Sequence, residues 1–578
     1  MLFLAKRNIQ VSMAKTLLIL AIAAIFLLAF GESVSGLPNT TFSGAHTGSQ
    51  RTVGKGKWKL LLNNTGVVAM HMVLTRHDTV VLFDSTGIPG RSGYRLKHRR
   101  NETRCHSTSH SVDPSCFAHS IEYSILRNKI RPLILEGETR HSSGSILNSG
   151  TIIQVGGIND GNQTIRVFKP CDHGHCDWRE RRKRLANGRS YSSSLSLPDN
   201  DRIIIVGGSM EFSYEFTPKK SSKDKSISLP FLDMTFNSHP HSSNLYPFLH
   251  LSSDGNIFIF SNRDSILFDY ISHKVVKHFP RMPGEGSRTF PSSGSSVILP
   301  LDHSDGFKKV EVMICGGAAT DAMGINTCRD LKGLRSCGRM VITGTKHKWN
   351  MDNMPKPRLM NDMVLLPTGD VLIINGAQRG CAGLHHNATS PSLEPYLYHP
   401  RRGRFSVLRA TKIARMYQSS AVLVPDGRVL VAGGNQNHGY IFKNVKYPTE
   451  LRLQAFQPPY LDAKFDHLRP QNVSIHSNRT KGVRYGQLFS VHFRLQGEPT
   501  NVTFTVYSPP FTTHSVSMNQ RMLKLKCIEM VRSIDGVVNA ILQSPPKAVV
   551  APAGYYMLSV VNGGIPSVSQ WVRFMHNA

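Results

Sequence analysis

Two tyrosines and a histidine stand at similar places in a repeated pattern of this sequence and could form a metal site. Tyr191 and Tyr417 each come directly before a run of strand-forming residues, and His141 comes just before another such run. Residues at equivalent places in a closed repeat point toward a common central space, where ligands bind. Phenolate oxygen and imidazole nitrogen are donors that suit Cu(II). The pattern therefore predicts an axial copper site; the alternative for each side chain is ordinary packing with one hydrogen bond.

The pattern that would position these residues is a β-hairpin that occurs seven times. Each copy has an apolar strand, a turn with Asp, Asn or Gly, and a second apolar strand that ends in small residues. Val, Ile and Leu fill both strands, which predicts burial on both faces, as the inner strands of propeller blades require. Unrelated hairpins, the alternative, would not recur at similar spacing. The copies begin at Ala69, Ser142, Tyr191, Tyr246, Ser292, Met360 and Tyr417.

A second β-rich region follows the repeat. The hairpin pattern ends near residue 455, and the stretch FQPPYLDAKFDHLRPQ reads as a linker rich in proline and polar residues. Short strands such as FSVHFRL and YYMLSVVN then return without the Gly-Gly endings. We predict an all-β chain, with a seven-bladed kelch-type β-propeller over residues 57–455 and an immunoglobulin-like (early-set) β-sandwich over residues 466–578.

The first 36 residues have the pattern of an export signal. A positive start precedes an apolar run over residues 17–30, which is short for a membrane span, and small residues follow it. An uncleaved anchor is the alternative. We therefore predict a secreted, extracellular or cell-wall protein with no membrane span after cleavage. Eight glycosylation sequons agree with export and predict that several carry sugar. These sequons open at Asn39, Asn63, Asn101, Asn162, Asn387, Asn472, Asn478 and Asn501.

The chain has nine cysteines, and export predicts that most of them form disulfides. Two pairs are close in sequence, Cys105 with Cys116 and Cys171 with Cys176. The second pair encloses two histidines in CDHGHC, where a zinc site is the alternative to a small disulfide loop. Because the count is odd, at least one thiol stays free. It belongs to the remaining set of Cys315, Cys328, Cys337, Cys381 and Cys527.

The formal net charge of +31 favours polyanionic partners. Export excludes nucleic acid, so acidic polysaccharide or another anionic surface is the expected partner, bound by a monomer. The most basic stretch, RERRKR at residues 179–184, reads as a solvated loop, and cleavage by a processing protease is the alternative.

Several long stretches resemble the plant glyoxal (aldehyde) oxidases, which are relatives of galactose oxidase. They include GKWKLLLNNTGVVAMHM, PTGDVLIINGA, ARMYQSSAVLVPDGRVLV, YPTELRLQAFQPPYL and FTTHSVSMNQR, and the resemblance extends from about Lys57 to the C-terminus. It implies a propeller followed by a sandwich. It also implies a copper-radical oxidation of small aldehydes or alcohols by O2, with carboxylic acid and hydrogen peroxide as products of aldehyde oxidation.

The resemblance also assigns site residues. In the family, two tyrosines and two histidines bind copper, and one tyrosine is cross-linked to a cysteine and carries a stored radical. Tyr191 matches the cross-linked tyrosine, and Tyr417 matches the axial tyrosine, which acts as a base. His514, in FTTHS, matches one copper-binding histidine.

Two family positions differ in this chain. The family's cysteine, in a motif like TWCSSG, corresponds to His141 in TRHSSG, and the histidine after the axial tyrosine corresponds to Gln418. Imidazole cannot form the thioether, and a neutral amide is a weaker copper donor than imidazole. We therefore expect no Tyr-Cys cross-link and a weakened or lost oxidase activity. The alternatives are a non-catalytic cell-wall protein that binds acidic polysaccharide, and a remodelled metal site in which His141 compensates as a ligand.

Overall fold

The computed structural model describes residues 54–86, 118–199, 201–221, 223–236, 244–319, 328–329, 331–477 and 482–576. Three sets of predictions lie outside these residues: the signal peptide, a bond between Cys105 and Cys116, and glycosylation at Asn39, Asn101 and Asn478. A search of the described helices finds none that is both long and apolar enough to cross a membrane.

The seven predicted hairpins are the inner strands of seven antiparallel sheets, which form the blades of a propeller. Both strands of these hairpins are almost entirely buried, as the apolar runs on both faces predicted. The strands of this part of the chain, in order, are β1 (Lys57–Leu62), β2 (His71–Leu74), β3 (Thr79–Phe83), β4 (Ser120–Ser124), β5 (Lys129–Leu133), β6 (Ser143–Ile146), β7 (Ile152–Val155), β8 (Ile165–Phe168), β9 (Trp178–Arg181), β10 (Ser193–Ser196), β11 (Ile203–Val206), β12 (Ser213–Thr217), β13 (Ile227–Ser228), β14 (Phe248–Leu251), β15 (Ile257–Ser261), β16 (Asp264–Asp269), β17 (Lys274–His278), β18 (Ser295–Ile298), β19 (Leu301–Asp302), β20 (Glu311–Cys315), β21 (Ser336–Val341), β22 (Asn350–Asn353), β23 (Asp362–Leu365), β24 (Val371–Ile374), β25 (Ala377–Gly380), β26 (Ala388–Pro391), β27 (Tyr396–His399), β28 (Arg404–Val407), β29 (Ser419–Leu423), β30 (Val429–Gly433) and β31 (Leu453–Gln457).

Each blade is built almost entirely from consecutive strands. Blades one to four are β2–β5, β6–β9, β10–β13 and β14–β17; blade five is β18, β20, β21 and β22; blade six is β23, β24, β27 and β28. Blade seven joins β29–β31 to β1 from the start of the propeller, and Trp58 of β1 lies opposite Phe456 of β31. This pairing closes the ring, so the first and last blades hold each other in place.

The C-terminal strands form the predicted early-set sandwich. The long strand β38 pairs with β39 at one end and β35 at the other, with an irregularity between Cys527 and Glu529. Short 3-10 helices and one α-helix, α1 (Pro230–Phe236), complete the described elements. The remaining strands are β32 (Gln471–His476), β33 (Val483–Arg484), β34 (Leu488–Arg494), β35 (Thr503–Ser508), β36 (Phe511–Thr513), β37 (Val516–Met518), β38 (Arg521–Arg532), β39 (Val537–Gln543), β40 (Gly554–Asn562), β41 (Ile565–Pro566) and β42 (Gln570–Met575). The short 3-10 helices are Asn159–Gly161, His303–Asp305, Pro459–Leu461 and Ala463–Leu468.

One hairpin connects the two regions. Strands β36 and β37 leave the sandwich, and β36 pairs antiparallel with β2 of the first blade, placing His71 opposite Thr513. Strand β19 of the propeller in turn pairs with β38 of the sandwich. A turn from the sandwich is therefore carried to the propeller axis by backbone hydrogen bonds.

The cysteines pair as an exported chain predicts. The described disulfides are Cys171–Cys176, Cys315–Cys337 and Cys328–Cys381, and Cys527 is the free thiol of the described region. The CDHGHC stretch is therefore a disulfide loop, as predicted.

The described glycosylation sequons differ in how exposed their asparagine side chains are. Asn63, Asn162, Asn472 and Asn501 are exposed, whereas Asn387 is only 3% exposed. Asn387 therefore has no room for a sugar in the folded chain.

The interpretation of residues 179–184 as a loop is wrong for their first half. Strand β9, Trp178–Arg181, is the outer edge of blade two. Glu180 turns inward to Arg166 and accepts hydrogen bonds from the backbone N–H groups of Glu136 and Gly137. The cations that flank Glu180 face solvent, so this edge carries a concentrated positive charge.

Buried arginines stabilise the ends of the inner hairpins. Arg166, Arg189, Arg288 and Arg415 each donate to the carbonyl of a glycine that ends or directly follows a second inner strand, at 2.7–2.9 Å. Burial lowers the pKa of Arg288 to about 9 and that of Arg415 to about 10. Both guanidinium groups stay charged at neutral pH and depend on these carbonyls to replace their lost hydration.

Replacing Arg288 by Met should lower the free energy of unfolding by about 3 kcal/mol, because it removes the guanidinium donor from the buried carbonyl of Gly316 and from the carbonyl and hydroxyl of Ser336. Denaturant unfolding measures this loss. The exposed Arg402→Met is the control and should change the free energy by less than about 0.5 kcal/mol. Equal effects of the two substitutions would contradict a structural role for the buried arginine.

Candidate active site

Six non-glycine residues with left-handed backbone surround the propeller axis. Each lies one or two residues before an inner strand, at the same place in the repeat, and their φ angles lie between 47° and 64°. Left-handed backbone is unfavourable for residues with a Cβ atom, so the surrounding structure must hold it. These residues, called the axial ring below, are His141, Tyr191, Tyr246, Ser293, Met360 and Gln418.

Backbone hydrogen bonds between blades hold the axial ring. The N–H of Tyr191 donates to the carbonyl of His141 at 2.7 Å, and the N–H of Tyr246 donates to the carbonyl of Tyr191 at 2.9 Å. The N–H of Met360 donates to the carbonyl of Ser293 at 2.5 Å. These bonds join blade two to blade three, blade three to blade four, and blade five to blade six at the axis.

The sequence pattern predicted that Tyr417 occupies the same position in its blade as Tyr191 does in blade three. In the structure, Tyr417 lies one residue before that position. Gln418 occupies the ring position of blade seven. Tyr417 still reaches the axis: its hydroxyl lies 3.5 Å from His514 Nε2. The structure thus brings together Tyr191, Tyr417 and His514, the three ligands that the resemblance implies, with His141 and Gln418 beside them.

His514 lies at the tip of the β36–β37 hairpin. Thr513 pairs with Val516. The two residues between them, His514 and Ser515, have φ angles of 47° and 70°, as in the two-residue turns with positive φ that commonly close β-hairpins. His514 Nδ1 lies 2.6 Å from Thr513 Oγ1. An Nδ1–H that donates to this hydroxyl leaves the Nε2 lone pair free, facing Tyr417.

His141 stacks on Tyr191. The ring centroids are 3.7 Å apart, and the planes differ by 19°. The ring of His514 is 5.6 Å from that of His141, nearly perpendicular to it. His141 Nδ1 is buried and has no hydrogen-bond partner among the described residues. The imidazole thus covers the tyrosine face and presents an unused nitrogen.

Gln418 has no hydrogen-bond partner for its side chain. Both Oε1 and Nε2 are buried and unpartnered within the described part of the chain. A buried amide without partners is rare unless a ligand, ion or water satisfies it. Gln418 therefore supports the view that the axial space holds a bound group.

Three residues of the site were not predicted. Tyr246 is fully buried, donates its hydroxyl hydrogen to the carbonyl of Ser142 at 3.0 Å, and stacks on His514 at 5.1 Å. His71 lies against Phe83 and accepts or donates at Ser142 Oγ, 3.0 Å away. Aligning the repeat would have found Tyr246, because it opens a copy as Tyr191 does. His71 had no such signal.

A buried carboxyl, Asp84, is the third of these residues and acts electrostatically on Tyr417. Asp84 accepts a hydrogen bond from the hydroxyl of Tyr440 at 2.7 Å, and its other oxygen, Oδ1, has no partner among the described residues. Burial raises the pKa of Asp84 to about 7, and its charge would in turn raise the pKa of Tyr417. Asp84 is therefore positioned to exchange a proton near neutral pH.

Burial keeps the imidazoles of the site neutral. It lowers the pKa of His71 to about 3 and places those of His141 and His514 well below the ordinary value. The Arg140 guanidinium lowers the pKa of His141 and His514 further. Neutral imidazole has the lone pair that a metal needs.

Burial has the opposite effect on the phenols. It raises the pKa of Tyr191, Tyr246 and Tyr417, so each holds its proton at neutral pH. Arg140 only partly opposes this shift at Tyr191 and Tyr417. A phenolate at either position therefore needs a cation inside the site.

The remaining donors fit a copper ion with one nitrogen fewer than the family set. No group of three or more His, Cys, Asp or Glu side chains within the described residues could hold a metal. The donors that the resemblance implies are instead the oxygens of Tyr191 and Tyr417 and Nε2 of His514, with the unpartnered amide of Gln418 at the place of the second imidazole. This is a nitrogen and oxygen set of the type Cu(II) accepts.

A cavity of about 540 Å³ at blade seven includes Tyr417 in its lining, together with Met416, Asn435, Gln436 and Tyr447. It is large enough for a small molecule to approach Tyr417.

The solved structures include a protein with the same architecture. A fungal alcohol oxidase in complex with copper matches 90% of this chain and all of its own chain, with a TM-score of 0.68 and 19% identity. This likeness shows the fold. Residues 469–574 match the domain family described as galactose oxidase-like, early set. The C-terminal domain is thus galactose oxidase-like, in a chain whose fold is that of the copper-binding alcohol oxidase.

The family follows from closer sequence relatives. Residues 70–460 match the family described as glyoxal oxidase N-terminus. The aldehyde oxidase GLOX of Vitis pseudoreticulata is 40% identical, over 90% of this chain and 97% of its own length. The aldehyde oxidase GLOX1 of Arabidopsis thaliana is 39% identical, over 90% of this chain and 85% of its own length. The chain belongs to the glyoxal oxidase family.

Substituting His71 by Gln should reduce the loss of stability in acid. Below pH 6.5 this histidine is protonated in the unfolded chain, but in the folded chain it stays neutral down to about pH 3. The free energy of unfolding of the wild type therefore decreases as the pH is lowered through this range. Removing one such group should reduce the slope by up to about 1.4 kcal/mol per pH unit. Urea unfolding at pH 7, 6 and 5 measures it. The exposed His467→Gln should leave the slope unchanged, and the same slope in His71→Gln would contradict neutral burial.

Proposed function

We propose that this chain is a secreted, cell-wall member of the glyoxal oxidase family in which the family's radical oxidation of aldehydes is weakened or lost. The stacking of His141 on Tyr191 at 3.7 Å carries this proposal. In the family, a cysteine sulfur is bonded to this tyrosine ring and eases its one-electron oxidation. Here the same place holds an imidazole, which packs against the ring without bonding to it.

The copper donors are reduced as well. Tyr191, Tyr417 and His514 would hold the metal, and Gln418 would give an amide oxygen where the family has a second imidazole. When bound, copper would supply one of the two electron-accepting centres of the family reaction. Tyr417 would bind the metal through its oxygen and exchange the substrate proton.

The electrostatics of the site make the missing donor important. Burial favours the neutral phenol at both Tyr191 and Tyr417, so only a firmly held cation can convert Tyr417 to a phenolate base. A weaker donor at position 418 lowers the occupancy of that cation. Loss of base function would then accompany loss of the radical, which is consistent with a non-catalytic protein.

Restoring both family residues, His141→Cys with Gln418→His, should recover the cross-link and the activity. After copper loading in the presence of O2, which takes up the two electrons, the Cys S–H and the ring C–H should be replaced by a C–S bond, so the intact mass should fall by two hydrogen atoms. Peroxide release from methylglyoxal should rise at least tenfold, about 1.4 kcal/mol of barrier. The long-wavelength absorption of the tyrosyl radical provides a third measurement.

The single variants separate the two defects. Gln418→His should raise the copper content, but its mass should not fall by two hydrogen atoms on copper loading. His141→Cys should allow the cross-link but hold copper weakly. Wild-type peroxide release equal to that of the double variant would overturn the proposal. So would a stable tyrosyl radical in the native copper-loaded protein.

A second candidate function is the binding of acidic polysaccharide, which the edge of blade two favours. Strand β9 and the residues after it expose Arg179, Arg181, Arg182, Lys183 and Arg184. The acid among them, Glu180, is turned inward and pairs with Arg166. A row of outward cations on an exposed edge suits a linear polyanion such as pectin.

Removing three of these charges, with Arg181→Gln, Arg182→Gln and Lys183→Gln, should make the protein elute from immobilised polygalacturonate at a lower salt concentration. The measurement is the NaCl concentration at elution.

The matched control removes three exposed arginines at blade six, with Arg401→Gln, Arg402→Gln and Arg404→Gln. A smaller shift in the control supports a local binding edge. Equal shifts would show that only net charge acts, and no retention of the wild type would remove this function.

A further inference from the structure

Two histidines from neighbouring blades meet outside the axial site. His385 follows strand β25 of the blade-six region, and His438 follows strand β30 of blade seven. Their Nε2 atoms lie 2.7 Å apart, with ring centroids 4.1 Å apart and planes at 65°. Both residues are exposed. Two imidazole nitrogens therefore converge on one point that solvent can reach.

The loops that carry the pair are joined to each other. The Cys328–Cys381 disulfide anchors the first loop four residues before His385. On the other side, the backbone N–H of Ala388 donates to Gln436 Oε1 at 2.9 Å. Gln436 lies two residues before His438, so the two loops have a set register. The distance between the histidines is therefore a property of the fold rather than of two free side chains.

The backbone at His385 is held in an unfavourable conformation. His385 and the following His386 have φ angles of 66° and 57°, in the left-handed region. Two consecutive non-glycine residues of this kind persist only where other contacts hold them, and such residues concentrate at ligand-binding sites. A single hydrogen bond between two exposed imidazoles contributes too little stability to offset this backbone conformation, because water competes for both nitrogens.

The geometry suits a metal ion better than a shared proton. Ligands at 90° with bonds of 2.0–2.1 Å are about 2.9 Å apart, so a small rotation of either ring admits an ion between the two nitrogens. We propose that His385 and His438 form a two-histidine site for a divalent transition-metal ion. Cu(II) binds more tightly than Zn(II), and water fills the remaining positions.

The charges around the pair restrict the type of ion. The Arg329 guanidinium donates to the carbonyl of His385 at 3.2 Å. No carboxylate joins the pair in a metal-binding group within the described residues. A hard cation such as Ca(II) needs oxygen ligands and negative charge, which this place lacks. An ion that prefers imidazole nitrogen tolerates the neighbouring arginine better.

The experiment counts metal ions on the full chain after removal of bound metal with a chelator. Calorimetric titration with Cu(II), and separately with Zn(II), gives the stoichiometry and affinity. His385→Ala and His438→Ala should each remove one equivalent, or weaken it at least tenfold. The double variant should match either single variant because both nitrogens hold the same ion. The part of the wild-type Cu(II) EPR spectrum that is missing from the spectra of the variants should show nitrogen ligands.

Two controls identify the site. His467→Ala removes an isolated exposed histidine and should leave binding unchanged. His514→Ala alters the axial site and should leave the surface equivalent intact, so failure of the proposed function and failure of this inference are distinguishable. Unchanged stoichiometry and affinity in His385→Ala and His438→Ala would overturn the inference and reduce the pair to a hydrogen bond between imidazoles.

Discussion

The axial ring of left-handed residues is the constraint on which the site depends. Its members donate backbone hydrogen bonds from one blade to the next, as Tyr191 does to His141, and in this way direct side chains from separate blades at one space. Buried arginines keep the adjoining strand ends in place; Arg189, for example, donates to the carbonyl of Gly207. Because this framework is made of backbone contacts, the side chains at the axis can change while the propeller stays intact.

This separation of framework and chemistry explains how a family member can keep its fold and lose its reaction. His141 stacks on Tyr191, and Gln418 has the same left-handed backbone as the other members of the axial ring. What changes is the electronic character of the site. In the function proposed above, a neutral amide replaces an imidazole and a stacked ring replaces a covalent sulfur, so copper binding and tyrosine oxidation would both become less favourable.

The sequence predicted much of the fold because its signals are local. Apolar runs with turn residues at similar spacing identified all seven hairpins, and the change of pattern after residue 455 identified the sandwich. It misjudged residues 179–184, where the high density of charge concealed strand β9 at the edge of a blade. An edge strand needs only one buried face, so Trp178 and the inward Glu180 were enough to hold it.

The sequence by itself determined that the chain is a propeller with a sandwich, and it predicted that the family's cysteine and one histidine are replaced, since both are matters of residue type and order. Only the tertiary structure decided which side chains meet. His514 lies on a hairpin of the sandwich that pairs with β2, and Tyr246 of blade four stacks on it. His385 contacts His438 between two loops. These contacts depend on how blades close around an axis, and no local pattern records a distance between residues so far apart in the chain.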